Sequence, residues 1–252
     1  MTNAMISRRP MLYAGVCIAC TSPSVFAQIF PNPSRPAPKR PVAPACGFDR
    51  QDFVKLVPGP RNHRSGIREL DDNLRRELDL LEKLFSVEPE FTFVDGTARS
   101  SAFTGPTPDN KTLIVFDVQL VRNEMAVHPG TWQSSIIGIL AHEFAHALQY
   151  QAIVEESRLW ETHADFLSGW YMGTKVLMGL SRLNIDVFAD ALFRRGSLTG
   201  FFNESGYGPP EARVASMRAG ANTAKKDFEP GKLSSIRFAA SEGYDYARSI
   251  VK

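Results

Sequence analysis

Cysteine is scarce, with three in 252 residues. Cys17 and Cys20 have C-x-x-C spacing but lie in an N-terminal segment that reads as a removable export signal, which excludes them as a redox or metal pair in the mature protein. Cys46 is then alone, and an internal disulfide is excluded. Long apolar runs are also missing. The stretch from Met11 to Cys20 falls far short of the ~20 residues that a membrane span needs. Neither charge dominates: 29 Lys and Arg face 27 Asp and Glu, and the excess of +2 is matched by Arg8 and Arg9, inside the expected signal. No basic stripe is interleaved with aromatics, so nucleic acid is excluded as the expected partner.

The ends of the chain show an order of segments. Ser7-Arg8-Arg9 supplies a positive region, Met11 to Cys20 an apolar one, and Val25-Phe26-Ala27 a small-residue cleavage site, so residues 1–27 are expected to be a signal peptide. Export to the periplasm or the medium follows, by the general route or, since Ser7-Arg8-Arg9-Pro10-Met11-Leu12 resembles a twin-arginine signal, by that one. Residues 28–46 are rich in proline and cannot form helix or sheet, so they are expected to be an extended spacer. Residues 47–252, with an apolar fraction that supports a core, are expected to be one domain. Cys46 itself is read as a stray or intermolecularly paired thiol, with a latency role, on a faint resemblance of Pro44-Ala45-Cys46-Gly47 to a pro-segment, as the alternative.

The informative stretch is Leu140-Ala141-His142-Glu143-Phe144-Ala145-His146-Ala147-Leu148, which contains H-E-x-x-H inside a run without Gly or Pro. On a helix, residues four apart share a face, so His142 and His146 can hold one metal ion. Glu143 stands about 100° round the axis, where it can reach a water activated by that ion. Ile136, Ile139, Phe144 and Leu148 make the helix a buried one, and polar groups there are costly unless partnered. A catalytic zinc needs a third protein ligand. Glu161, Asp165 and Gly169 recur every four residues and form a stripe on a second helix. Glu161 can be the third ligand, Asp165 can accept the free N–H of a ligand imidazole, and Gly169 can let the two helices approach closely. His163 competes as a ligand but lies about 200° round the helix from Glu161, so the two cannot face one ion. His128, in the loop before the motif helix, is read as a loop residue.

The sequence H142-E-F-A-H146 followed by E161-x-x-A-D165-x-x-x-G169 resembles the gluzincin metallopeptidases. It is most similar to the bacterial neutral zinc metallopeptidases and more distantly to the M48-like group, over about residues 90–220. The resemblance implies an α+β, zincin-like fold, mainly helical, with a small sheet before the first zinc helix. It also implies one zinc ion held by His142, His146 and Glu161, Asp165 behind a ligand, Glu143 as general base and a peptide or protein substrate. One departure is the short connection. Only fourteen residues separate His146 from Glu161, and a continuous helix would hold them more than ~20 Å apart, so the chain must reverse between Ala147 and Trp160.

Elsewhere the pattern predicts a long amphipathic helix over residues 65–87, on Ile67, Leu70, Leu74, Leu78, Leu81, Leu84 and Phe85, with Ser65 as its cap. Strands are expected at Phe91–Val94 and Thr112–Val118, with Gly105 to Lys111 as a turn-rich segment between them. In the resembling families an edge strand holds the substrate, and either of these two can do so through main-chain hydrogen bonds. Further helices are expected from Trp132, through the second motif to about Leu177, and over about Ile185–Arg195 with Gly196 ending the last. The segment from Tyr207 to Gly220 resembles a late, cleft-shaping segment of those families, without a His at position 208. Tyr207 is a candidate donor to the developing oxyanion and Arg213 a candidate partner for an acid of the site, with a plain proline-started helix as the alternative for both.

The expected activity is zinc-assisted peptide hydrolysis. The alternatives are a non-hydrolytic binding protein stabilised by zinc on the same fold, and a metal-free helical scaffold.

Overall fold

The computed structural model describes residues 61–96, 100–152, 159–198, 209–228 and 235–251. The expected signal, the proline-rich spacer, Cys46 and Tyr207 lie outside the described residues. Among the described residues the chain is a mixed helical and sheet structure of seven helices and one three-stranded sheet.

Helix α1, Arg68–Phe85, comes first and buries Leu74, Leu78, Leu81 and Phe85, the three-and-four spacing expected of it. Its start differs from expectation. The N-cap is Ile67 and makes no side-chain cap, while Ser65 turns its main-chain N–H and hydroxyl toward Asp71, at 2.7 and 2.8 Å. The carboxylate of the first turn thus reaches back to order the incoming loop, a better use of a charge near the helix N-terminus.

Strands β1 (Glu90–Val94), β2 (Ala102–Pro106) and β3 (Thr112–Asp117) follow. Their order is β1-β3-β2, with β1 parallel and β2 antiparallel to β3. The sequence hides β2 because Gly105 and Pro106 read as punctuation. Here they pair with Leu113 and Thr112 at the end of an outer strand, a place where a residue without an N–H is tolerated. The turn itself is Thr107–Lys111, closed by Thr107 N–H to Lys111 O at 2.8 Å, with Asn110 in the left-handed region at φ 61°. Strand β3 runs directly into α2, Val118–Val127, where the buried Asp117 accepts from Gln119 N–H at 2.8 Å as a side-chain cap.

Helix α3, Trp132–Ala152, carries the H-E-x-x-H motif and is buried from Ile139 through Tyr150. Helix α4, Trp160–Leu177, is buried from Trp160 to Lys175. Phe85 ties α1 to both, with ring centroids 6.1 Å from Phe144 and 6.2 Å from Trp170. Helix α5, Ile185–Leu198, passes through Gly196 instead of stopping there. Helix α6, Pro210–Asp227, starts with proline at its first position, where the missing N–H costs nothing. Helix α7, Ile236–Ile250, is capped by Ser235 and closes the structure.

Helices α4 and α6 cross backbone against backbone. A β-carbon on Gly169 or on Gly220 would overlap the main-chain oxygen of Met217 or of Phe166 respectively. Gly169 therefore admits α6 to α4. The expectation that it serves the contact between the two motif helices is corrected: its bare face is turned to α6.

Candidate metal centre

From Ile136 to Leu148 the H-E-x-x-H helix is apolar apart from the motif itself, and burial against the sheet, α1 and α4 leaves the motif's polar groups needing partners. His142 and His146 project together, with ring centroids 4.6 Å apart and Nε2 atoms 3.0 Å apart. Glu161, from the first turn of α4, brings Oε2 to 3.4 Å from His142 Nε2 and Oε1 to 3.4 Å from His146 Nε2. The chain does reverse between the two motif helices, as the short connection requires. All three side chains are buried, and they form the group that can hold a metal ion.

The chemistry of this donor set fits a cation. The Nδ1 of each imidazole faces an acceptor: Asp165 Oδ1 lies 3.0 Å from His142 Nδ1, and Gln149 Oε1 lies 2.7 Å from His146 Nδ1. The first of these is a close approach without hydrogen-bond alignment. With both Nδ1 atoms protonated, the two Nε2 lone pairs would face each other and a carboxylate, an arrangement that a cation between them relieves. Donors bound at ~2.0–2.1 Å on a tetrahedral ion stand roughly 3.3 Å apart, close to the separations seen here. Charge points the same way. Glu143, Glu161 and Asp165 are buried acids, Arg213 is the buried cation among them, and the remaining two negative charges equal the charge of a divalent ion.

Arg213, a candidate in the sequence, does pair with an acid of the site. From the second turn of α6 its guanidinium donates from Nε to Asp165 Oδ2 at 2.8 Å and from Nη2 to Asp165 Oδ1 at 2.9 Å, with Glu161 Oε2 at 3.4 Å. The planar fork holds the carboxylate that faces His142, so the α4–α6 crossing fixes the acid behind a ligand ring. Asp165 is behind His142, the place given to it by the spacing.

Glu143 is buried beside the three ligands and is held from the sheet. Thr104 Oγ1, on β2, lies 2.7 Å from Glu143 Oε2 and 3.0 Å from Glu143 O. Burial raises the Glu143 carboxyl above its usual range, against the lowering effect of His146, His142 and Thr104. Burial also raises Glu161, but the neighbouring His146 and His142 outweigh it and hold that carboxyl well below the usual range. The two acids thus differ in the sense that a proton acceptor and a permanently ionised ligand require.

His163 is not a ligand. It is buried where α3, α4 and α7 meet, with Nδ1 3.0 Å from Gln149 Nε2 and Nε2 3.0 Å from Ala240 O, and burial lowers its pKa to about 4. His128 caps the end of α2 and pairs with Asp190 at 2.8 Å, as a loop residue.

The expected substrate edge is corrected for one of its two candidate strands. Thr112–Asp117 is the central strand, flanked on both sides, and β1 accepts a loop on its outer side, where Phe93 N–H donates to Asn62 O. The strand beside the motif helix is β2, and it is buried from Ala102 to Gly105. Sequence reasoning also missed Thr104 and Gln149. Gln149 lies one turn after His146, so helical spacing alone would have brought it to notice.

Among the described residues no helix is long and apolar enough to cross a membrane. Comparison with protein-family models, with curated proteins and with solved structures gives no match.

Proposed function

We propose that this chain is an exported zinc-dependent metallopeptidase of the gluzincin type, on a zincin-like fold. The observation that carries the reading is the convergence of His142 Nε2, His146 Nε2 and a Glu161 carboxylate in a buried site, with Glu143 beside them. Zinc, when bound, supplies Lewis acidity and lowers the pKa of a water towards ~7. Two imidazoles and one carboxylate suit zinc by ligand type and leave room for a fourth, non-protein ligand.

The residues then have separate tasks. Glu143 takes the proton from the attacking water and returns it to the leaving amine, and its raised pKa improves it as the returning acid. Thr104 orients that carboxylate from β2. Asp165 and Arg213 hold His142 in position. Tyr207, outside the described residues, is kept as the proposed oxyanion donor on the resemblance alone, and export rests on the sequence of residues 1–27.

Burial of Glu143 and all three ligands favours a second reading, in which the site stabilises a non-hydrolytic binding protein. Structural zinc has no use for a proton acceptor beside it, so Glu143→Gln separates the two. Under the enzymatic reading the variant folds, binds one zinc per chain and loses at least 100-fold in peptidase activity. Full retention of function by this variant would support the binding protein.

A further inference from the structure

Three side chains and the carbonyl of Ala240, from α3, α4 and α7, form a single hydrogen-bonded chain that ends on a metal-site imidazole. Gln149 is its centre. Its amide nitrogen has two hydrogens and two acceptors, Trp160 O at 2.9 Å and His163 Nδ1 at 3.0 Å. Reversing the amide would place its oxygen against the Trp160 carbonyl, acceptor to acceptor, so the orientation is forced. Its oxygen is thereby turned to His146 Nδ1, at 2.7 Å.

His163 is fixed from the other end. Its Nε2 faces Ala240 O at 3.0 Å and must carry the proton, which leaves Nδ1 bare to accept from Gln149. Gly243, three residues beyond Ala240 on α7, makes room for this: a β-carbon there would stand 3.0 Å from His163 Cδ2 and closer still to the Phe166 ring. Each step has one allowed direction: His146 donates to Gln149, Gln149 to His163 and His163 to the α7 carbonyl, so that carbonyl fixes the proton positions back to the metal site.

We propose that Gln149 and His163 are positioning residues that impose the Nδ1–H tautomer on His146, so that its Nε2 lone pair is presented to the metal by a contact originating on α7. The inference rests on the metal reading of the site but makes a separate statement about the metal-free chain.

The test uses the full chain, first without metal. Side-chain 15N–1H correlation spectra report imidazole tautomers directly. The expected result is one tautomer for each ring, protonated at Nδ1 in His146 and at Nε2 in His163. The opposite tautomers, or a mixture at His146, would overturn the proposal. Zinc affinity, measured by competition with a chelator, is then compared in wild type, Gln149→Met and Gln149→Glu. The Met variant keeps the volume and removes both functions of the amide; its affinity is expected to fall about 10–100-fold. The Glu variant keeps the acceptor for His146 and is expected to recover most of that loss even if the chain is less stable. A Met variant with wild-type affinity, or equal losses in both variants, would contradict the proposal. Should Gln149→Met fail to fold, the wild-type tautomers decide. Failure of the metal reading would show differently, as a wild-type chain that binds no zinc while its tautomers are as stated.

Discussion

Gly169 lies against the main-chain oxygen of Met217 so closely that a β-carbon would overlap it. Backbone meets backbone there, and neither can move aside as a flexible side chain could. Gly169→Ala is therefore expected to cost about 3 kcal/mol or more, at the upper end of overpacking penalties. Because the same crossing brings Arg213 to Asp165, the variant should also bind zinc more weakly. Thermal unfolding with and without added zinc measures both effects.

Arg213 is the second point at which the crossing bears on the site. Replacing it with Met leaves Asp165 and Glu161 buried without their guanidinium, and loss of one partner of a buried pair typically costs about 3–5 kcal/mol. Arg213→Lys should recover little, since an ammonium cannot make the two-pronged contact with Asp165. Denaturant unfolding of both variants checks the order: wild type well above Lys, and Lys near Met.

Thr104 joins the sheet to Glu143. Removal of its hydroxyl in Thr104→Val takes away the 2.7 Å contact to Oε2 and leaves zinc binding intact. A hydrogen bond to a charged group contributes about 1.5–3 kcal/mol, so kcat should fall about 10–100-fold with zinc content unchanged. Loss of zinc in this variant would mean that Thr104 supports the fold of the site and not the base.

Acid stability carries a signature of His163. The buried ring has a pKa of about 4, below its ordinary value of 6.5, so between these values the unfolded chain takes up a proton that the folded chain refuses. Above pH 6.5 this group makes no difference. Below it, folding loses stability as pH falls, by up to about 1.4 kcal/mol per pH unit until about pH 4. Metal-free His163→Gln should show a correspondingly shallower decline between pH 6 and 4.5 than metal-free wild type, measured by denaturant unfolding across that range.

Much of this site was legible in the sequence because helical spacing is a local rule. His142 and His146 four apart, and Glu161 and Asp165 four apart, are brought to their faces by the helix itself. Arg213 was anticipated from a likeness in the late segment. What was not legible depends on tertiary contact or on weak local signals. Ala102–Pro106 carries Gly and Pro and so reads as a turn, yet β3 accepts it as an outer strand and it delivers Thr104. Gly169 was assigned to the wrong neighbour, since a bare face says that something approaches and not what. Helix α7 shows no chemistry in its sequence because its contribution to the site is a main-chain carbonyl, that of Ala240, which any residue would supply.

Metal content of the purified protein tests the central claim most directly, with wild type measured beside His146→Ala and Glu161→Ala. One zinc per chain in the wild type and little or none in the two variants is the expected result. A folded wild-type chain that holds no metal after purification in the presence of zinc, or variants that hold as much as the wild type, would contradict the account.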